Sequence, residues 1–537
     1  MSRLPATDRF SELAHKGVHW GLRWASVAPE QRQARRLASA LQKRPTLAPA
    51  GRVLFVTPRD WAAHVQWEAM LGHALRLRGA EVEYLRCGGD LEVCDRANTW
   101  EAPPMPCGSC RHYVGTSLTA HGHANEPMWT EPPATAWPEL DAIGLRDLSD
   151  VEVDGLALGR LVEIPVKWFL MRSDIDDEPL AALTYRRFLR SARVIANALR
   201  GALERSRPDI VIACNGLFLF ESIAVALCKQ RGIDFVTYER GLIKETLVFR
   251  RGEPACLLDA SDVWSRWRDV PLRPEEDAQL DAYLGDRRHG RRTIDRFWKD
   301  PLFEGVERRD GGRLATMFTN LTWDSAVIGR ERAFPSMRAW IAETVELFRS
   351  RPGDQLVIRV HPAEVRLPGK MTREAIEPFL ARRFTVLPPN VTVIGPDDDR
   401  SSYSLMEQSD LGLVYSSTTG LEMAMAGKPV VVAGETHYRG KGFTVDPASP
   451  QEFRDTVVGL LDRPETSRPD IEIARRYAYF LFFRLPVGTP GVEEHVLGLA
   501  RLTAGPGDLA PGADVDLDRI CDGILNGGDL GPWPPAR

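Results

Sequence analysis

The stretch that decides the fold runs from Leu411 to Val432 and reads LGLVYSSTTGLEMAMAGKPVVV. It opens with a short apolar run, passes through a hydroxyl-rich turn into a helix over 420–426, and ends in a second apolar run over 429–432. Short, continuous apolar runs on either side of a helix are typical of parallel strands that are buried on both faces. The stretch therefore predicts a strand-helix-strand unit of a parallel α/β sheet.

The same alternation of apolar runs and helical periodicity precedes this stretch. It predicts strands at 314–318, 355–360, 391–394 and 411–415, and a helix at 337–348. Strands that alternate with helices form parallel sheets covered by helices on both faces. We expect a Rossmann-like domain over residues 311–470.

An earlier series predicts another Rossmann-like domain over residues 49–258. Its predicted elements are strands at 53–56, 81–85, 209–213 and 235–238, and helices at 62–77, 180–204 and 221–229. We expect a Cys-rich insertion over 87–150, which many Pro, Gly and His residues make loop-like from about residue 99. The fold class is thus α/β, with two Rossmann-like domains whose parallel sheets face an inter-domain cleft.

Three further segments lie outside these two domains. The sequence of residues 1–48 predicts a helical N-terminal segment, or preamble, that ends before a Pro-Ala-Gly break. The sequence of residues 259–310 predicts a charged, helical linker. The sequence of residues 471–537 predicts a helix that returns to the first domain, followed by a flexible tail rich in Gly, Pro and Asp that contains a short turn of helix around 517–525.

Charge and hydropathy narrow the range of partners and locations. The formal charge is −5 and the pI is near 6.2, whereas a protein that binds nucleic acid normally carries a basic stripe and a high pI. The sequence has no apolar run of ~18 residues and no apolar signal-peptide centre near its start. We expect a cytoplasmic protein that does not bind nucleic acid.

Four of the eight cysteines crowd into one short interval: Cys87, Cys94, Cys107 and Cys110. In a reducing cytosol a metal site is more plausible there than disulfides. Four thiolates suit a structural Zn or a 4Fe-4S iron-sulfur cluster, and only the CxxC half of the pattern is specific. A site without metal, or one in which His112 replaces a cysteine, stays open.

Polar residues follow the predicted strands of the second domain. His361 and Glu364 come after one strand, and the turn Ser416-Ser417-Thr418-Thr419 comes after another. An imidazole donor and the free N–H groups of a helix start suit a phosphate, although N-capping alone also uses such hydroxyls. Glu422, in the first turn of that helix, could hold ribose hydroxyls or simply complement the helix dipole.

These residues resemble those of the capsule polysaccharide biosynthesis glycosyltransferases, the group that includes the capsular Kdo transferases. The resemblance covers about residues 310–450 and rests on Phe318-Thr319-Asn320, Trp323-Asp324-Ser325-Ala326, Arg359-Val360-His361-Pro362-Ala363-Glu364, Ser401-Ser402-Tyr403, Ser416 to Glu422, Gly427 to Val432 and His437 to Thr444. It implies a GT-B glycosyltransferase that takes a sugar from a nucleotide-activated donor, with a CMP-sugar such as CMP-Kdo favoured and a UDP-sugar as the other choice.

The resemblance implies phosphate-binding roles for His361 and for Ser416 to Thr419. Together with candidates chosen for their positions after predicted strands, the expected donor-binding set is Asn320, Arg359, Glu364, Ser416, Ser417, Thr418, Thr419, Glu422, Tyr438 and Lys441, and the expected catalytic set is His361, Glu239 and Asp324. His361 would stabilise the departing phosphate without a divalent metal, because Asp397-Asp398-Asp399 reads as a polar turn rather than a metal motif. Asp324 could orient His361 or bind sugar hydroxyls.

The first domain supplies the expected acceptor side, together with one residue of the second domain. Asn215 and Arg240 follow predicted strands, and Trp323 could stack on a sugar ring or pack in the core. Glu239 at a strand end is either the base that deprotonates the acceptor or a carboxylate paired with Arg240. The expected partners are a nucleotide-sugar and a saccharide or lipid-linked acceptor, which would bring the protein to the inner face of the membrane as a peripheral protein.

Three alternatives remain beside the glycosyltransferase. A nucleotide-sugar 2-epimerase and a CDP-alditol phosphotransferase of the teichoic-acid type share the His-Pro and Ser-Ser elements. A non-catalytic saccharide-binding subunit would keep the aromatic residues of the cleft but bind no donor.

Overall fold

A computed structural model describes most of the chain. The described residues are 27–42, 48–99, 105–291, 302–325, 327–367, 369–463, 468–495 and 499–534. Of the predicted preamble, residues 27–41 form helix α1, whereas residues 1–26 and 43–47 lie outside the described residues.

The first domain is built on a sheet of seven strands. In spatial order these are β3 (Ala124–Pro127), β2 (Glu81–Arg86), β1 (Arg52–Val56), β4 (Ile210–Cys214), β5 (Asp234–Arg240), β6 (Thr246–Arg251) and β12 (Val487–Gly488). Strands β3 to β5 run parallel, and β6 and β12 continue the sheet antiparallel. The central strands β1 and β4 are almost completely buried, as helices on both faces of a parallel sheet require.

Helices cover both faces of this sheet. On one face lie α1, α2 (Ala62–Arg76), α3 (Cys107–Ala120), α16 (Val515–Asn526) and the hairpin of β13 (Val492–His495) and β14 (Leu499–Leu502). On the other face lie α4 (Leu158–Leu170), α5 (Ala181–Ser206) and α6 (Leu219–Arg231).

The second domain is built on five strands that are all parallel. In spatial order these are β9 (Val391–Ile394), β8 (Gln355–Arg359), β7 (Leu314–Phe318), β10 (Leu411–Val414) and β11 (Val430–Val432). One face carries α9 (Met337–Arg349), α11 (Ile376–Arg383) and α14 (Pro450–Asp462). The other carries α7 (Ser261–Trp267), α8 (Pro274–Arg288), α12 (Ser402–Gln408), α13 (Thr419–Met425) and α15 (Ile471–Tyr479), while the short α10 (Ala363–Arg366) follows β8.

The two sheets share one strand order. In each, the first strand lies at the centre, the second and third extend to one side, and the fourth and fifth extend to the other. This order makes each domain Rossmann-like and opens a crevice where the chain reverses its direction of winding, beside the first and fourth strands. The predicted GT-B fold class is confirmed.

Local sequence sets the ends of several helices. The Ser336 hydroxyl accepts a hydrogen bond from the Ala339 N–H at 3.1 Å where α9 begins. The Asp470 carboxylate caps α15 in the same way. Helix α6 ends at Gly232, whose φ of +65° is a conformation that costs glycine little.

Apolar and charged contacts hold the two domains together. Met171 of the first domain packs with Leu321 and Trp323 of the second in one buried cluster. Beside it, the Ser173 hydroxyl and backbone N–H donate to the Glu374 carboxylate at 2.7 and 2.8 Å. The cleft is therefore framed by a fixed inter-domain contact.

Three predicted loop or linker regions contain packed structure. The expected loop from residue 99 holds α3 and the edge strand β3, the linker holds α7 and α8, and the tail holds α16. Buried side chains hold these elements in place: Tyr113 in α3, Trp264 in α7 and Ile520 in α16 all belong to a core. Helices α7, α8 and α16 lie where the sequence predicts helix, whereas α3 and β3 lie where it predicts a loop.

Candidate active site

A cavity of about 590 Å³ lies between the two domains. The loops after β1, β4 and β5 form most of its wall, and Asp324, Ser325 and Lys370 approach from the second domain. In open α/β sheets, ligands normally bind in this position, beyond the carboxyl ends of the strands. We refer to this cavity as the cleft.

Two carboxylates from opposite domains face the cleft. Glu239 at the end of β5 and Asp324 after β7 both line it. The Asn215 side-chain amide donates to Glu239 Oε2 at 2.6 Å, and the Arg240 backbone N–H donates to Oε1 at 2.8 Å. Asn215 itself has a φ of +59°, which asparagine tolerates, and its Oδ1 accepts from the Leu217 N–H at 2.9 Å. The position of the Glu239 carboxylate is therefore fixed.

The environment of Glu239 makes it a stronger base than an ordinary glutamate. Burial raises the pKa of Glu239, and the charge of Asp324 raises it further, whereas the donors from Arg240 and Asn215 oppose the rise. A carboxylate with a raised pKa accepts protons more readily. Arg240, which also lines the cleft, pairs with Glu494 at 2.6 Å, so Glu239 is not limited to the ion pair that the sequence left open.

Aromatic side chains cover part of the cleft wall. Trp61 and Trp168 are half-buried, and each packs edge to face against Phe218, with ring centroids 5.5 and 5.3 Å apart. Trp323, predicted to meet the acceptor, is only 1% exposed and packs edge to face against Trp168. The Trp323 rings pack in the contact between the two domains. Trp168, rather than Trp323, lines the cleft.

His361 lies at the carboxyl end of β8 and is held at both ends. Its backbone N–H donates to Thr319 Oγ1 at 3.1 Å, and its ring Nδ1 accepts from the Ala363 N–H at 3.1 Å. A neutral ring whose Nδ1 accepts must carry its proton on Nε2. Burial lowers the pKa of His361 to about 4, and the nearby Arg359 charge adds to this effect. At neutral pH the ring is therefore a neutral donor.

The hydroxyl-rich turn follows β10, two strands away from β8. The Ser416 N–H donates to Asn320 Oδ1 at 3.3 Å, and Asn320 follows Thr319 in the loop after β7. Strand β7 lies between β8 and β10, so this loop ties His361 to the turn. The structure thus brings the predicted imidazole and the predicted turn to the ends of three neighbouring strands.

The hydroxyls of the turn differ in their partners. Ser417 Oγ donates to Thr419 Oγ1 at 3.0 Å, and the Thr418 carbonyl accepts the Glu422 N–H at the start of α13. Ser416 Oγ is buried without a hydrogen-bond partner among the described residues. A buried hydroxyl without a partner is costly, which makes Ser416 the member of the turn most suited to bind a ligand.

Glu422 is held by two other side chains. Arg287 of α8 pairs with Oε1 at 2.9 Å, and the Tyr403 hydroxyl donates to Oε2 at 2.7 Å. Both carboxylate oxygens are therefore engaged in a buried contact between the predicted linker and α13. A ribose hydroxyl would have to compete with these partners.

Two of the predicted donor ligands stabilise loops instead. Arg359 is 2% exposed, and its guanidinium donates to the carbonyls of Gly395, Asp398 and Arg400 at 2.7, 3.0 and 3.1 Å. Glu364 is also 2% exposed and accepts from the N–H of Ile376 at the start of α11. Both buried groups satisfy backbone atoms, and their donor-binding roles stay predictions.

Two further predicted ligands also contact protein groups. Tyr438 is completely buried, and its hydroxyl donates to the Ser417 carbonyl, so it supports the turn from behind. Lys441 Nζ contacts the Ser261 hydroxyl at the start of α7. Of the donor-binding set, Asn320 and the turn Ser416 to Thr419 are the groups that the structure gathers beside His361.

The sequence did not point to a buried ionic group under the cleft. Arg59 pairs with Asp95 at 2.8 Å and also with Glu221, and all three side chains are buried. Arg59 lies in the loop after β1, in the run Arg59-Asp60-Trp61. Polar residues at the end of an apolar strand were the signal that could have revealed this group.

A second unpredicted group lies at the base of the cleft. His64 lines the cleft, and its Nδ1 lies 3.3 Å from the Tyr238 hydroxyl, which donates to Glu68 at 2.6 Å. Burial lowers the pKa of His64 to about 3 and raises the pKa of Glu68 to about 8. At neutral pH both side chains are neutral, so they add hydrogen-bonding capacity but no charge.

The family model described as "Capsule polysaccharide biosynthesis protein" matches residues 278–463. The match lies in the second domain and the helix that precedes it, so this part of the chain is similar to the capsule polysaccharide biosynthesis family. This match confirms the resemblance that the strand-end motifs indicated, and it contains all five strands of the second sheet.

Solved structures similar to the chain include two structures of KpsC from Thermosulfurimonas dismutans. The beta Kdo 2,7 transferase is 14% identical over 57% of this chain and 85% of its own, with a TM-score of 0.33. The beta Kdo 2,4 transferase is 16% identical over 55% and 84%, with a TM-score of 0.32. A UDP-GlcNAc 2-epimerase from Neisseria meningitidis is 12% identical over 80% and 97%, with a TM-score of 0.26. A search of curated proteins finds no match.

Two clusters of potential metal ligands lie in the first domain. The four cysteines of the predicted metal site line one small cavity and form no disulfide. A separate histidine cluster, His73, His121 and His123, has ring nitrogens within 4.8 Å of one another. Sequence did not indicate the histidine cluster, because α2 supplies one member and the loop after α3 supplies the others.

No helix in the described part of the chain is both long and apolar enough to span a bilayer.

Proposed function

We propose that this protein is a glycosyltransferase of capsular or surface polysaccharide biosynthesis. It moves a sugar from a nucleotide-activated donor, bound mainly by the second domain, to a saccharide or lipid-linked acceptor bound by the first. One observation carries the proposal: Glu239 and Asp324, from opposite domains, line a single cleft at the carboxyl ends of parallel strands. The family match of the second domain supports the carbohydrate context.

Glu239 takes the proton of the acceptor. As the acceptor hydroxyl attacks the anomeric carbon of the donor sugar, its proton passes to a carboxylate oxygen of Glu239. The raised pKa of Glu239 favours this transfer, and its hydrogen bond from Asn215 fixes the direction of the carboxylate. Asp324 accepts hydrogen bonds from sugar hydroxyls, and the half-buried faces of Trp61 and Trp168 provide apolar surface for a sugar ring.

The leaving phosphate is stabilised in the second domain. The bond between the anomeric carbon and the phosphate oxygen breaks, and the electron pair leaves with the nucleotide. The Nε2–H of neutral His361 and the hydroxyl of Ser416 donate hydrogen bonds to the negative charge that develops on that oxygen. Donors that are already oriented need no rearrangement during the reaction, which is the main source of their effect.

The donor we favour is a CMP-sugar such as CMP-Kdo, with a UDP-sugar as the second choice. The support is the likeness of the His361-Pro362 and Ser416 to Thr419 elements to those that contact the donor phosphate in CMP-sugar enzymes. The structure supports their joint action, because Thr319 and Asn320 connect the two elements through hydrogen bonds.

The test is a panel of CMP-, UDP- and GDP-sugars incubated with the purified full chain, with and without an oligosaccharide acceptor. Mass spectrometry then measures the released nucleotide and the extended acceptor. We expect nucleotide release that increases with acceptor, and a loss of at least ~10²-fold in Glu239→Gln. The matched control is Glu152→Gln, at an exposed position of the same domain, which should keep wild-type turnover.

The other outcomes would replace the proposal with a named alternative. A changed sugar without any acceptor would indicate a 2-epimerase. CMP together with a new phosphodiester would indicate a CDP-alditol phosphotransferase. Nucleotide or saccharide binding without turnover for any donor would indicate a non-catalytic subunit.

A further inference from the structure

The four cysteines of the first domain come together from separate segments. Cys87 directly follows β2, Cys94 lies in the next loop, and Cys107 and Cys110 lie in the first turn of α3. All four line one cavity, and all four are free thiols. Because the sheet edge and the start of a helix both contribute, the fold rather than sequence proximity gathers them.

The spacing of the sulfurs argues against a single ion. Zn–S bonds of about 2.3 Å place four tetrahedral thiolates ~3.8 Å apart. No three cysteine sulfurs in the described part of the chain lie within 4.8 Å of one another, whereas the ring nitrogens of the histidine cluster do. The thiolates of a cubane cluster lie farther apart, because each binds a different iron at a corner of a larger body.

Apolar side chains form part of the wall of the cavity between the sulfurs. Apart from the thiols and arginines, Met105, Pro106 and Phe220 help to line it. A water there would find few hydrogen-bond partners, whereas iron-sulfur clusters are bound by thiolates in apolar surroundings.

Three arginines line the same cavity, and each also pairs with a nearby carboxylate. Arg59, Arg96 and Arg111 all line it. Four thiolates around a cluster carry a net negative charge, and nearby guanidinium groups reduce the cost of burying that charge. The guanidinium groups would also stabilise a structural Zn with four thiolates. They therefore favour thiolates in general, and only the spacing of the sulfurs distinguishes zinc from an iron-sulfur cluster.

We infer that Cys87, Cys94, Cys107 and Cys110 bind a 4Fe-4S cluster. The cluster joins β2, the loop after it and α3, and its position connects it to the cleft. Arg96, from the loop that carries Cys94, lines both the cysteine cavity and the cleft and pairs with Asp60. The cluster therefore fixes one wall of the cleft and takes no part in group transfer.

The experiment measures the metal content of the full-length protein purified without oxygen. We expect about four irons and four acid-labile sulfides per chain, together with the broad visible absorption of sulfur-to-iron charge transfer. Both should disappear in Cys107→Ser/Cys110→Ser. The control Cys228→Ala removes a buried cysteine of α6, outside the site, and should keep both.

Three results would overturn the inference. One zinc per chain that disappears in Cys107→Ser/Cys110→Ser would make this a zinc-thiolate site. Zinc that is the wild type's only metal and survives in that variant would belong to the histidine cluster and leave the thiols without metal. Wild-type protein that takes up no iron and sulfide, even after anaerobic reconstitution with ferrous iron and sulfide, would exclude the cluster without relying on a variant that folds.

Discussion

The side-chain amide of Asn215 donates a hydrogen bond to the Glu239 carboxylate at 2.6 Å. The two residues follow neighbouring parallel strands, β4 and β5, so the sheet itself brings them together at the edge of the cleft. A donor to the charged form of a carboxyl lowers its pKa, and here it opposes the larger effect of burial. Burial and the hydrogen bond from Asn215 thus shift the pKa of Glu239 in opposite directions.

Replacing Asn215 by glycine should shift the pH dependence of the reaction. Glycine tolerates the φ of +59° and removes the amide, so the pKa of Glu239 should rise further. Because the base acts only when ionised, the acidic limb of kcat/KM against pH should move upward by ~1 unit, equivalent to about 1.4 kcal/mol. A Glu152→Gln profile is the control, and an unmoved limb in Asn215→Gly would contradict the assignment of Glu239 as base.

Replacing His361 by alanine should slow turnover without changing the pH profile. The variant loses a donor to the leaving phosphate, which is worth ~10²–10³-fold in kcat. Burial lowers the pKa of His361 to about 4, so the ring stays neutral throughout the usual assay range. His361 therefore adds no rise or fall to the dependence of kcat on pH. The measurements are kcat and the pH profile.

Two further variants test this role of His361. His361→Gln, which keeps an N–H donor, should recover part of the lost rate, whereas His289→Ala at the end of α8 should behave as wild type. Equal turnover of wild type and His361→Ala would remove the imidazole from the mechanism.

Most of the sheet could be predicted because its strands are continuous apolar runs, as in Leu314 to Phe318. Strand β3 could not, since Ala124 to Pro127 reads ANEP and pairs only as an edge. The hydrogen bonds to β2 hold this segment as a strand, although its own sequence has no apolar pattern. Likewise, α3 begins in CGSC, where glycine and serine give little helix signal, and its buried face decides the outcome.

The site could be predicted where strand order alone determines position. Glu239 and Asp324 follow the ends of parallel strands and therefore meet at the cleft. Arg359 also ends a strand, but the unpaired carbonyls of a neighbouring loop bind its guanidinium. Trp323 is buried because the C-terminal end of α4 in the other domain packs on it, and long-range contacts of this kind leave no local sequence pattern.

Trp168 and Trp323 should therefore respond differently to truncation. Their rings pack edge to face with centroids 5.1 Å apart, but only Trp168 lines the cleft. Trp323→Ala should lower the unfolding temperature, since loss of a buried tryptophan costs on the order of 3–5 kcal/mol. Trp168→Ala should chiefly raise KM for the acceptor. Thermal unfolding and acceptor kinetics separate the two effects, and a raised acceptor KM with unchanged melting in Trp323→Ala would restore its predicted stacking role.

Replacing Glu364 by glutamine should stabilise the protein in alkaline solution and leave catalysis intact. Burial raises the pKa of Glu364 to about 8 from its ordinary 4.5. The folded chain therefore keeps a proton that the unfolded chain releases, so this contribution to stability is full below pH 4.5 and is lost as pH rises through about 8. Glutamine resembles the protonated form at every pH, which removes that loss.

Melting temperatures of Glu364→Gln and wild type should thus agree below about pH 4.5, diverge as the pH rises toward about 8, and stay farthest apart above it. We expect the variant to be more stable by on the order of 2 kcal/mol there. Glu307→Gln, an exposed change in the same domain, should follow wild type at every pH. Unchanged kcat/KM would agree with a carboxyl that binds the Ile376 N–H, whereas a large rise in donor KM would return Glu364 to the donor site.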